Sequence, residues 1–167
     1  ASQDDIESVY IIGQDYSFGK AVADAAVRML AEKRPDVEIV GNELHPLGKV
    51  KDFTPYVQKI MSSGADAVIT GNWGQDMTLL IKAADDAGHQ VPYLTYYGGG
   101  LGAPTAMGES ALGLVKQVTE FHENVDGLPE EHVALMDDFE ERFGGLDYYY
   151  QRVFTLMRML ARALEEA

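Results

Sequence analysis

The residues best suited to chemistry in this chain are aromatic. Tyr16 and Phe18 follow one apolar run, Trp73 follows a second, and Tyr96 and Tyr97 close a third. Trp73 is the sole tryptophan, and it stands in a polar, glycine-bearing turn, Asn72-Trp73-Gly74-Gln75-Asp76, outside the apolar run that precedes it. Rings of this kind, with a few polar neighbours, line concave sites that hold small molecules by stacking and hydrogen bonding, with no covalent step. The plainer alternative is that the rings are core packing. Asp76, at the head of a helical run, reads as a capping carboxylate for orphan amides.

Signals for catalysis or a cofactor are weak. Gly98-x-Gly100-x-x-Ala103 has the letters of a dinucleotide fingerprint. However, Pro104, Gly108 and Gly113 interrupt the helix that would have to carry a pyrophosphate, and this is not the first strand-to-helix turn. The glycines read instead as an open, flexible loop at the sheet edge. His45, His89, His122 and His132 show no paired spacing for a metal, so neither metal nor other cofactor is expected. Ser110, in Gly108-Glu109-Ser110-Ala111-Leu112, misses the nucleophile elbow at its last position. The acidic pairs Asp85-Asp86, Asp137-Asp138 and Glu140-Glu141 fall on helical runs, where solvated faces explain them. The chain reads as a binder, not an enzyme.

The elements that must position the rings follow from periodicity. Ser8 to Gly13 is a nearly continuous apolar strand, as expected for one buried on both faces of a parallel sheet. A turn, Gln14 to Gly19, leads to a helix from Lys20 to Arg34 with Val22, Ala26, Val27, Met29 and Leu30 for its inner face; Pro35 stops it. Val37 to Gly41 reads as a second strand, followed by a polar loop over Asn42 to Lys51. Asp52 is the expected cap of a helix from Phe53 to Ser63, with Pro55 in its first turn. Asp66 to Gly71 is a third strand, and Met77 to Ala87 a helix with Met77, Leu80, Ile81 and Ala84 three and four apart. Val91 to Tyr97 and Gly113 to Phe121 read as further strands.

Strands and helices in strict alternation, with short connections, imply an α/β fold: a three-layer, doubly wound, mainly parallel sheet. In such sheets ligands sit at the carboxyl ends of the strands, where all five rings fall. Beyond Leu128 the pattern changes to two helical segments, Pro129 to Phe143 and Tyr149 to Glu166. The second carries an apolar stripe of Val153, Leu156, Met157, Leu160, Ala161 and Leu164. The stripe needs a covering surface.

Composition narrows the function classes. A chain of 167 residues can bury one real core. A net charge of −14 with no basic cluster argues against a nucleic-acid partner or an anionic membrane surface. The absence of cysteine removes disulfides, thiol nucleophiles and thiolate metal sites, and suits an oxidising compartment. No apolar stretch approaches the roughly 20 residues that span a bilayer, and Ala1 to Asp5 lacks the basic-then-apolar pattern of a signal peptide, so any export signal is expected to have been removed or never present.

Asp15-Tyr16-Ser17-Phe18-Gly19 resembles the turn of type I solute-binding proteins of branched-chain amino acid and amide ABC transporters. Asp52-Phe53, Gly64-Ala65-Asp66-Ala67-Val68, the loop from Gly71 to Asp76, and Ala87-Gly88 fit the same running pattern. So does Asp147-Tyr148-Tyr149-Tyr150 leading to Leu160-Ala161-Arg162-Ala163-Leu164. The resemblance implies a molecule of two α/β lobes joined by crossing strands, with a solute clamped between them. This chain is similar to the second lobe, residues 1–121, plus a two-helix return segment, 122–167, that would pack on the other lobe. By that resemblance Phe18, Trp73 and Tyr97 contact solute, and Tyr149 contacts it after the chain returns. Where amino-acid binders hold the solute's ammonium with a carboxylate, this sequence has Tyr97, which is uncharged near neutral pH.

The expected function is the extracytoplasmic solute-binding component of an ABC importer, taking an amino-acid-like, amide or aromatic-acid solute. Its partners would be that solute, a membrane permease, and a first lobe or second copy of the chain. The same architecture also serves ligand-sensing lobes of cytoplasmic regulators, which an attached DNA-binding helix pair would reveal.

Overall fold

Six of the seven residues in β1 (Ser8–Gln14) are buried, and this run seeds the sheet. In the computed structural model, which describes residues 5–100, 102–119, 126–144 and 151–166, β1 pairs on one side with β2 (Glu38–His45) and on the other with β3 (Ala67–Thr70). Beyond β3 lie β4 (Tyr93–Thr95) and β5 (Val115–Gln117). The order is β2-β1-β3-β4-β5, and every pairing is parallel. Alternation along the strands sends Tyr10, Ile12, Val68 and Tyr93 into a core with α2 (Thr54–Ser63), α3 (Gly74–Asp86) and α4 (Ala103–Met107). Val9 and Ala67 enter a smaller cluster with Val37 and Leu30, the latter from α1 (Ser17–Lys33). These are the two faces of a doubly wound sheet.

Several local expectations are corrected. β2 runs on through His45, where the sequence reads as a loop from Asn42. Its backbone follows β1, past a one-residue register shift opposite Val9 and Tyr10, as far as Gln14 beside His45, and on an edge strand polar side chains can remain solvated. α1 starts at Ser17, three residues before Lys20, because the Lys20 amide already donates to the Tyr16 carbonyl over 3.0 Å. Its inner face is built on Gly19 and Ala23, while Val27 and Met29 are exposed. At Gly19 the helix lies so close over the end of β1 that a side chain would meet the Gln14 carbonyl. α3 starts at Gly74, whose φ of +57° turns the chain from the extended Trp73 into the helix. β4 and β5 are shorter than their apolar runs, and Phe121 lies outside the described residues.

Asp52 does accept the Thr54 amide, over 2.9 Å, from one residue ahead of the helix cap at Phe53. The Thr54 side chain first, and that amide second, hold its carboxyl below the usual range. The glycine run after β4 is packed, not open. The Gly98 amide donates to Thr95 Oγ1 over 3.0 Å, the Gly99 amide donates to Gln117 Oε1, and a Cβ at Gly98 would meet the Thr95 and Met77 side chains inside 3 Å. The helix beyond it is α4, five residues long, continued by a 3-10 turn over Gly108–Ala111.

The chain divides into two compact units, 1–118 and 119–167. Within the second, α5 (Glu130–Phe143) meets α6 (Gln151–Glu165): Arg158 pairs with Glu131 at 2.5 Å, and its guanidinium stands 5.7 Å above the Phe154 ring. The α6 stripe is exposed, with Val153, Leu156, Leu160 and Leu164 between 51% and 71% accessible.

Candidate functional site: an aromatic crevice at the strand ends

The strand order reverses at β1. The chain leaves β1 to form β2 on one side and returns to form β3 on the other, so the turns after β1 and β3 leave from neighbouring strand ends. A crevice opens at such a point. Tyr16 and Trp73 are the N-cap residues of α1 and α3, both in extended conformation and neither giving a side-chain cap. The Trp73 indole donates from Nε1 to the Tyr16 phenol oxygen over 2.8 Å. The Tyr16 and Phe18 ring centroids are 6.0 Å apart, Phe18 and Tyr97 5.5 Å, and Tyr97 and Tyr96 4.7 Å. The tilted and edge-on angles of these pairs are those that aromatic quadrupoles favour. Tyr16, Phe18, Trp73 and Tyr97 are half-buried and Tyr96 is 43% exposed, so the row lies at the surface and outside both core clusters. Tyr149, the remaining candidate, lies outside the described residues.

At the same strand ends is a buried polar set, here called the floor, that the sequence reading missed. Gln14, His45 and Asn72, at the ends of β1, β2 and β3, are buried to 1% exposure or less. His45 Nε2 and Asn72 Oδ1 are 3.0 Å apart, and the His45 ring meets Phe53 edge-on at 4.9 Å. Three polar residues at the carboxyl ends of adjacent strands were the signal that could have revealed this floor. Asp76 belongs to it as well, which corrects its reading as a cap. Its Oδ2 accepts from Gln14 Nε2 over 2.8 Å and from the Gly48 amide over 2.9 Å, and the residue is 3% exposed. Those bonds pin the loop after β2 and the end of β1 to the first turn of α3.

The two acids on these turns differ in setting. Asp15 pairs with Lys20 at 2.9 Å on the rim, and Asp76 is buried and engaged. Among the described residues no cluster of three or more His, Cys, Asp and Glu side chains is placed to hold a metal. The arrangement can stack a planar group against tilted rings and offer hydroxyl hydrogen bonds at its edge.

The family model described as periplasmic binding protein matches residues 1–167. The chain belongs to the periplasmic binding protein family. Within this family, it is 33% identical over 145 residues to Leu/Ile/Val-binding protein homolog 4 of Brucella abortus, covering 87% of this chain and 34% of the relative. The structure of a leucine-, isoleucine-, valine-, threonine- and alanine-binding protein from Brucella ovis, in closed conformation, superposes with a TM-score of 0.71 at 33% identity, over 86% of this chain and 35% of that one. An ABC-transporter solute-binding protein of R. palustris in complex with 4-hydroxybenzoate shares the fold, with a TM-score of 0.64 at 22% identity over 87% of this chain and 39% of that one. This periplasmic binding protein chain spans about a third of the length of the curated relatives it matches.

Proposed function

We propose that the chain forms one lobe, with a return segment, of an extracytoplasmic solute-binding component of an ABC importer. It holds its solute at the crevice lined by Tyr16, Phe18, Trp73, Tyr96 and Tyr97, with Tyr149 contributing after the chain returns. It delivers that solute to a membrane permease without catalysis, nucleic acid or cofactor. Residues 122–167 pack through the α6 stripe on the other lobe of a longer polypeptide or on a second copy.

The observation that carries this reading is the row of half-buried rings at the β1/β3 switch point of a chain from this family. Tyr97 stands where the family resemblance leads one to expect a carboxylate for an ammonium group, and of the two acids on the bordering turns Asp15 sits beside Lys20 while Asp76 is buried on the Gln14 and Gly48 amides. The solute class that suits such a crevice is a small planar acid or amide, ahead of an aliphatic amino acid. The Brucella ovis protein named for binding leucine, isoleucine, valine, threonine and alanine, and the relative named a Leu/Ile/Val-binding protein homolog, favour the aliphatic class, and the R. palustris protein is in complex with an aromatic acid. None of the three is named a regulator, and transport is therefore the reading adopted.

Calorimetry on the full-length polypeptide that carries this chain is the test. Binding of planar acids or amides in the micromolar range, tighter than leucine or valine, is expected. Micromolar leucine binding with no response to planar acids or amides would overturn the solute class.

A further inference from the structure

We infer that Trp73 fixes Tyr16 as a hydrogen-bond donor to the solute, so that the crevice selects planar solutes with an acceptor oxygen, as in a carboxylate, over those offering only an amine. This rests on the solute-binding reading above and deepens it. A phenol has one proton to give and two lone pairs, whereas an indole N–H can only donate. At 2.8 Å the pair therefore has a single sense: Trp73 gives, Tyr16 accepts, and the Tyr16 proton remains for another acceptor. Accepting one hydrogen bond also polarises the hydroxyl and strengthens the one it donates.

Position supports the role. Tyr16 and Trp73 are the N-caps of helices seated on neighbouring strands, so the backbone holds both in place before any solute arrives. The Tyr16 ring lies 6.0 Å from Phe18, whose ring lies 5.5 Å from Tyr97, so the donor stands at one end of a row of stacking surface. A planar acid can lay its ring along that row and bring its oxygen to Tyr16. Of the two acids on the turns that carry the pair, Asp15 stands exposed beside Lys20, and Asp76 is buried and holds the Gln14 and Gly48 amides, so neither is presented bare to an amine. Tyr16 gives the hydrogen bond, and Trp73, besides the aromatic face it lends to the row, is the positioning residue for that hydroxyl.

The test uses benzoate and benzylamine as probes, titrated by calorimetry against the full-length polypeptide that carries this chain, with thermal melts to verify folding. Wild type should prefer benzoate. Tyr16→Phe should weaken benzoate about tenfold and leave benzylamine unchanged. Trp73→Phe, which keeps an aromatic face, should weaken benzoate about threefold in the wild-type background and not at all in the Tyr16→Phe background. A merely structural Trp73 would lower affinity in both backgrounds. Unchanged benzoate affinity in Tyr16→Phe, or a Trp73→Phe loss that persists without the phenol, overturns the inference. Should Tyr16→Phe fail to fold, an unchanged benzoate-to-benzylamine ratio in Trp73→Phe overturns it. Leucine binding with no benzoate binding removes this inference and leaves a solute binder; binding of neither probe nor leucine removes both.

Discussion

Gln14 donates from Nε2 to Asp76 Oδ2 over 2.8 Å, across 62 residues of sequence. The bond joins the end of β1 to the first turn of α3, and the Gly48 amide meets the same oxygen. Removing that carboxylate leaves the buried Gln14 amide without its acceptor and frees the Gly48 amide at the loop. Asp76→Ala is therefore expected to destabilise the chain by about 3 kcal/mol, and Asp76→Asn, which keeps one acceptor, by about 1 kcal/mol. Urea unfolding of the two variants measures this, and a loss under about 0.5 kcal/mol for Asp76→Ala would show the floor to be incidental.

Gly19 lies in the first turn of α1, where an added Cβ would sit 1.8 Å from the Gln14 carbonyl oxygen. Backbone cannot yield as a side chain can, so helix and strand must separate. Gly19→Ala is expected to cost about 3 kcal/mol and, by displacing Phe18, to weaken solute binding as well. A wild-type melting temperature for this variant would contradict the packing described.

Burial pushes the His89 imidazole below its ordinary value of 6.5, and its Nδ1 lies 3.0 Å from the Tyr93 hydroxyl. The folded state keeps the ring neutral while the unfolded chain takes up a proton near 6.5. The stability His89 contributes is thus complete above that pH and is lost as pH falls from 6.5 toward the lower folded value. Melting temperature should drop between about pH 7.5 and about pH 5.5, and His89→Gln should flatten that part of the profile. An identical slope in the variant would assign the effect to other groups.

The proposed solute site makes a direct claim about Phe18 and Trp73. Replacing either by Ala should weaken planar-solute binding by about 2 kcal/mol, roughly thirtyfold in Kd, as for a buried aromatic anchor. Val27→Ala, on the exposed side of α1, should change affinity by less than twofold, about 0.4 kcal/mol. Equal losses in all three variants would argue for general destabilisation and against a site.

On α6, Val153, Leu156, Leu160 and Leu164 form an exposed apolar stripe at spacings of three and four. Contiguous apolar surface of this kind marks an interaction face or an aggregation liability. The chain by itself is expected to self-associate in sedimentation runs, and Leu156→Lys with Leu160→Lys to return it to a monomer. A concentration-independent monomer for the wild type would refute this.

The amino-acid sequence by itself determined the alternation of strand and helix, the parallel sheet, and the placing of Tyr16, Phe18, Trp73, Tyr96 and Tyr97 after strand ends. Each of these follows from residues near one another in the chain, through side-chain period and turn chemistry. Only the tertiary structure decided that β1 lies between β2 and β3, and so that Tyr16 and Trp73, 57 positions apart, share a hydrogen bond. It also turned Asp76 from a local cap into a bridge, because Gln14 and the Gly48 amide reach it from other strand ends. The length of β2 moved for the same reason, whereas α1 and α3 start early through local turns, the Lys20 amide on the Tyr16 carbonyl and the positive φ of Gly74. A backbone amide or carbonyl takes the partner that packing brings to it, and local propensity is overruled wherever that partner comes from a distant part of the chain.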